Sequence, residues 1–205
     1  MQSTIGVLAL QGAFAKHIEH VHALGGEAVE VRLPAQLDRC DGLILPGGES
    51  TTLTKLMRLY DFYEPIRIFA KSRPVMGTCA GLIMVATRVD DLRVEPLGLL
   101  NITANRNAYG RQIDSFVTDV DAPFLGDKTP FRAVFIRAPQ ISSVGPDVDI
   151  LLEHNGMPIM VRQGHIVALT FHPELTDDPR IHRYFLAACR NARRSRRHVA
   201  NNDVA

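Results

Sequence analysis

Apolar residues follow two rhythms along this chain. Ile5 to Leu10 is a nearly unbroken apolar run, read as a strand buried on both faces. From Ala13 to Leu24 the apolar positions Phe14, Ile18 and Val21 fall at helical spacing, the stripe of a helix lying on a sheet, and Gly25-Gly26 ends it. Ala28 to Val31 and Gly42 to Leu45 read as two more strands, the second running into Pro46-Gly47-Gly48-Glu49. Ser50 is the expected N-cap of a helix through Leu53, Leu56, Met57 and Tyr60. A further helix to Lys71 leads to a strand ending at Gly77-Thr78-Cys79-Ala80-Gly81. The order predicts an α/β fold, a mostly parallel open sheet with helices on both faces.

From about Leu97 the pattern shortens. Ile113 to Val120, Ala133 to Ile136, Val148 to Glu153, Ile159 to Arg162 and Ile166 to Leu169 read as short strands, separated by turn signals such as Asn155-Gly156 and Gln163-Gly164. Hairpins are therefore expected to add antiparallel strands. A last helix follows Asp178-Pro179 with Ile181, Tyr184, Phe185 and Ala188 facing inward. No internal repeat or low-complexity linker interrupts the chain.

Composition narrows this reading. With 205 residues, 46% of them hydrophobic, one core can form, and residues 1–192 are expected to be a single domain. Residues 193–205 continue a basic run that begins at Arg190 and are expected to be a solvated, frayed tail. A net charge of +1 gives no field to recruit nucleic acid or an anionic membrane. No apolar stretch approaches the roughly 20 residues of a membrane span, and the N-terminus lacks a signal-peptide pattern. Three scattered cysteines, Cys40, Cys79 and Cys189, make no disulfide framework and fit a reducing cytoplasm.

The chemistry concentrates at Cys79. Glycines two before and two after it permit a sharp strand-to-helix turn that displays the sulfur at the mouth of a sheet, and the N–H of Ala80 is left free to donate to an oxyanion. A thiol at its ordinary pKa needs a base. His172 follows a predicted strand, and Glu174, two residues on, is expected on the same side to hold its ring. Gly47 and Gly48 bring backbone N–H groups near a ligand, making Gly48 the second oxyanion donor. His17, His20 and His22 share one predicted helix without complementary ligands, so solvated or packing roles are expected and no metal site.

Three stretches together, Leu43-Ile44-Leu45-Pro46-Gly47-Gly48-Glu49-Ser50-Thr51, Gly77-Thr78-Cys79-Ala80-Gly81-Leu82-Ile83 and Phe171-His172-Pro173-Glu174-Leu175, resemble class I, triad-type glutamine amidotransferases. Leu8-Ala9-Leu10-Gln11-Gly12, Arg106-Asn107-Ala108-Tyr109-Gly110-Arg111-Gln112, Asp114-Ser115-Phe116 and Phe135-Ile136-Arg137-Ala138-Pro139 are similar to the glutaminase subfamily of pyridoxal 5′-phosphate synthases. Gln140 departs slightly from that pattern. The resemblance implies a flavodoxin-like architecture, with Cys79 as nucleophile and His172 and Glu174 completing the relay. It implies L-glutamine held by Gly47, Gly48, Glu49, Arg106, Ile136 and Arg137. It also implies a hetero-oligomer in which the partner is a (β/α)8-barrel synthase, and no cofactor of the glutaminase's own. A cysteine hydrolase or peptidase, and a binding subunit with a vestigial triad, are the competing readings.

Overall fold

The structure, a computed structural model, describes residues 2–106, 115–126 and 128–202. Its first part runs β1 (Thr4–Leu8), α1 (Phe14–Ala23), β2 (Glu27–Val31), β3 (Gly42–Leu45), α2 (Ser50–Leu59), α3 (Tyr63–Phe69), β4 (Val75–Thr78) and α4 (Ala80–Val85). It continues through β5 (Ala86–Val89), β6 (Leu100–Asn105), β7 (Phe116–Val120), β8 (Phe131–Phe135), β9 (Gln140–Val144), β10 (Asp149–His154), β11 (Met157–Gln163), β12 (Ile166–Leu169) and α5 (Arg180–Asn202).

The main sheet has seven strands in the order β10-β11-β12-β4-β3-β1-β2. The five from β12 to β2 are parallel, and β10 and β11 extend the edge in antiparallel fashion. This is the mainly parallel α/β sheet expected, with its hairpin addition. Alternation along β3 shows how it is covered on both faces. Leu43 and Leu45 join Leu53, Met57, Ile66 and Leu82 from α2, α3 and α4, whereas Ile44 joins Ile5, Val21, Ile181 and Phe185 from β1, α1 and α5. Each such fully buried aliphatic contributes about 1.5–3 kcal/mol.

Two smaller sheets stand apart, β5-β6-β9 and the ribbon β7-β8. The strands β5, β6 and β9 were not expected. Their sequences, ATRV, LNITAN and QISSV, are short and half polar, and their pairing partners are remote in the chain. The expected strand from Ile113 is seen from Phe116; its start and the Asn107–Gln112 motif lie outside the described residues.

The C-terminus also differs from expectation. The helix continues past Ala192 to Asn202. Arg193 and Arg196 follow Cys189 at four and seven residues, so they extend the buried stripe, and both pair with Asp41 at 3.0 and 3.2 Å. Arg196 also donates to the Ser72 carbonyl. Long aliphatic stems ending in charges thus anchor this segment where apolar residues are lacking.

Candidate active site

Strand β4 ends at Thr78, which pairs with Leu169 at the end of β12, and the N–H of Cys79 still donates to the Leu169 carbonyl at 2.9 Å. The chain then turns sharply: Cys79 has φ 50° and ψ −105°, a left-handed conformation that costs a side-chain-bearing residue about 1–3 kcal/mol. The flanking glycines make the turn possible. A Cβ on Gly77 would lie 2.5 Å from the Gly81 carbonyl oxygen, and one on Gly81 would lie 1.9 Å from that of Leu45.

His172 follows the neighbouring strand, so the Cys79 sulfur and the His172 imidazole are one strand apart. A Cβ on Gly47 would fall 2.5 Å from His172 Cε1 and 3.3 Å from Cys79 Cβ, which places all three residues around one small volume. His172 Nδ1 is 2.7 Å from Glu174 Oε1. The link between them is not the extended stretch expected; Pro173–Leu175 is a 3-10 turn begun by the fixed φ of Pro173, and it brings the carboxylate back under the ring. Burial pulls the pKa of His172 down, but hydrogen bonding to Cys79 and to Glu174 outweighs it and pushes the value up to about 10. An imidazolium beside the sulfur is the partner a reactive thiolate requires.

The loop opposite carries charge. Glu49, rather than Ser50, caps α2, and its carboxylate accepts from the N–H groups of Thr51 and Thr52. Ser50 is buried inside the first turn. Burial raises the pKa of Glu49, yet the hydrogen bonds from Thr51 and Thr52 prevail and hold it at about 2. Arg106 donates to Glu49 and to Asp91, the latter at 2.6 Å. Arg93, with Arg106, holds the Asp91 carboxyl well below the usual carboxylate range.

The Gly47 carbonyl accepts from the N–H of Ala13, so in the trans peptide the N–H of Gly48 points the opposite way. Gln11 packs its amide against Gly48 and accepts from the N–H of Glu49 at 3.1 Å.

Gly48, Glu49, Cys79, Ala80, Arg106, Ile136, Arg137 and His172 line one cavity of about 400 Å³. Arg137, one of these lining residues, has φ 45°. A second, slightly larger cavity of about 460 Å³ lies between α1 and α5 on the far side of Glu174 and does not reach Cys79. Its size is no argument for chemistry, because Cys79, the candidate nucleophile, is elsewhere.

Two residues near Cys79, His172 and Glu174 were given no part in the chemistry from the sequence. Gln11 stood out only as a member of the Leu8–Gly12 motif. His17 left a signal: it falls between Phe14 and Val21 on the apolar stripe of α1, and it is completely buried beside Glu174. Among the described residues, no group of three or more His, Cys, Asp and Glu side chains is placed to hold a metal ion. Among the same residues, no helix is long and apolar enough to cross a membrane.

Residues 7–191 match the SNO glutamine amidotransferase family. The chain is 54% identical over 190 residues to the pyridoxal 5′-phosphate synthase subunit PdxT of Niallia circulans, covering 92% of this chain and 99% of that one. It is 52% identical over 183 residues to PdxT of Thermotoga maritima, covering 89% and 97%. A solved glutamine amidotransferase superposes with a TM-score of 0.85 at 44% identity over 90% of this chain and 98% of its own. A chain of the PurLQS structure from Thermotoga maritima, 19% identical, shares the fold with a TM-score of 0.71 over 91% and 99% of the two chains.

Proposed function

The chain belongs to the SNO glutamine amidotransferase family, and on that footing we propose that it is the glutaminase subunit of a pyridoxal 5′-phosphate synthase. It hydrolyses L-glutamine to L-glutamate and delivers the ammonia to the synthase subunit for vitamin B6 biosynthesis in the cytoplasm. The observation that carries this reading is that Cys79 and His172, the latter held by Glu174, line the same cavity as Glu49 and Arg106. A free amino acid needs both ends: a carboxylate for its ammonium, a guanidinium for its α-carboxylate, and a nucleophile for its side-chain amide.

The Cys79 thiolate attacks the amide carbon, and the carbonyl electrons move to oxygen, where the N–H groups of Gly48 and Ala80 receive the charge. As the tetrahedral species collapses, the carbon–nitrogen bond breaks and the His172 imidazolium supplies the proton that lets ammonia leave. A γ-glutamyl thioester remains. His172, now neutral, takes a proton from water, hydroxide adds to the thioester, and collapse returns the thiolate and releases glutamate. Glu174 keeps the ring oriented and its positive charge balanced. Gly47, Ile136 and Arg137 shape the remaining wall of the glutamine site.

The test is ammonia release from glutamine by the assembled synthase carrying Cys79→Ala in this subunit. Loss of turnover, with the complex still assembled, is expected; persistent turnover would sink the assignment. Labelling of Cys79 by a glutamine-like electrophile, and its suppression by glutamine, separates this reading from a general cysteine hydrolase.

A further inference from the structure

Behind Glu174, on the side away from Cys79, the structure assembles a row of histidines that the reaction above does not use. His17, from α1, is completely buried, with Nε2 3.4 Å from Glu174 Oε2 and 3.3 Å from Thr78 Oγ1. Its Nδ1 is 2.9 Å from Nε2 of His182, buried on α5. His20, one turn along α1, stacks on His182 with ring centroids 4.3 Å apart. Glu174 Oε1 belongs to His172, while Oε2 is buried with no close hydrogen bond, so the His17 ring is the polar group beside it.

Which nitrogen of His17 carries the proton decides its role. If Nδ1–H donated to His182, the lone pair on His17 Nε2 would face the Glu174 carboxylate. His182 would then be left with an unpaired, buried Nδ1–H. If instead His182 Nε2–H donates to His17 Nδ1, the His17 Nε2–H is directed to Thr78 Oγ1, with Glu174 Oε2 3.4 Å from the same nitrogen. The leftover group is then an unpaired acceptor, which proteins tolerate better than an unpaired donor.

We infer that His17 is a positioning residue of the glutaminase reaction, a neutral ring whose Nε2–H edge lies against Glu174 and keeps that carboxylate aimed at His172, with His182 fixing its tautomer. The inference rests on reading Cys79, His172 and Glu174 as the catalytic triad. Burial, then His182, His172 and His20, push the imidazolium form of His17 far below its ordinary range. The groups facing it are Glu174 and His172 from the segment after β12, Thr78 from β4, His182 from α5 and His20 from its own helix. Neutrality matters: a cation here would compete with His172 for the same carboxylate, whereas a neutral donor leaves that charge for the imidazolium.

The experiment compares His17→Met with His17→Gln in the assembled synthase, measuring kcat and KM for glutamine. His17→Met should lower kcat about tenfold or more with KM unchanged. His17→Gln, which keeps a neutral N–H at that end, should stay within about threefold of the unmodified enzyme. Equal losses in the two variants, or a raised KM at unchanged kcat in His17→Met, would overturn the inference. Nitrogen NMR of the unmodified chain decides it if His17→Met does not fold: a neutral Nε2–H tautomer supports the role, and an Nδ1–H tautomer or an imidazolium ends it. Cys79→Ala is assayed in parallel, because turnover surviving there would refute the triad itself and not merely the part given to His17.

Discussion

The guanidinium of Arg106 lies against the carboxylate of Glu49, so the two residues proposed for the charged end of glutamine hold each other in the wall of the cavity. Asp91 takes a second nitrogen of the same guanidinium. The fork is therefore oriented from behind and from the side, and a planar group with several donors is what such a position demands.

Arg106→Lys keeps the charge but cannot span Asp91, Glu49 and a substrate carboxylate together. KM for glutamine should rise at least about tenfold, with kcat at saturating glutamine much less affected. Steady-state kinetics of the assembled enzyme check this; a fall in kcat at unchanged KM would contradict the binding role.

Two glycine substitutions should fail in different ways. In Gly81→Ala the new methyl would meet the Leu45 carbonyl oxygen at 1.9 Å, backbone against backbone, so the chain should not fold cooperatively. In Gly47→Ala it would meet the ring of His172 at 2.5 Å, a side chain that can move aside. That variant should retain a cooperative thermal transition and lose glutamine turnover by about a hundredfold or more. Comparable activity of Gly47→Ala and the unmodified chain would refute the packing of loop, imidazole and sulfur described here.

Stability should depend on alkaline pH through His172. Its folded-state pKa is raised from 6.5 to about 10, so the proton it holds favours the folded chain. That contribution is complete below pH 6.5 and is lost as the pH climbs through about 10. The urea midpoint should fall across this window, and the fall should be smaller in His172→Asn; an identical slope in that variant would remove the imidazolium from the account.

Asp41 should matter through the C-terminal helix. Asp41→Ala, or ending the chain after Ala192, releases Arg193 and Arg196 and should lower stability by about 0.5–1 kcal/mol without altering glutamine turnover by the complex. Thermal unfolding and ammonia release, measured on the same preparations, test both halves of the statement.

How much of this was legible beforehand follows from how each residue is used. Runs such as Gly42 to Leu45 and Ile166 to Leu169 are buried on both faces, and a short apolar tetrad bounded by turn residues is the pattern such a strand leaves. The half-exposed strands β5, β6 and β9 owe their form to cross-strand partners that local sequence does not encode. Ser50 looked like a cap because hydroxyls usually serve there, but Glu49 brings two carboxylate oxygens and serves both the helix and Arg106. His17 was hidden by its company: with His20 and His22 nearby it invited comparison with metal ligands, whereas its register with Phe14 and Val21 was the informative part.

Strands β4 and β12 lie side by side, yet the chain leaves the first and returns to the second only after building β5 through β11. Arg106, Ile136 and Arg137 all belong to that excursion, while the sulfur and the imidazole sit at its two ends. On the proposed reading, the reacting pair and one side of the glutamine wall are thus carried by separable stretches of one polypeptide, with Gly48 and Glu49 supplying the other side from the loop after β3. The detour could be lengthened, trimmed or rewritten to admit another amide while the reacting atoms stayed in place.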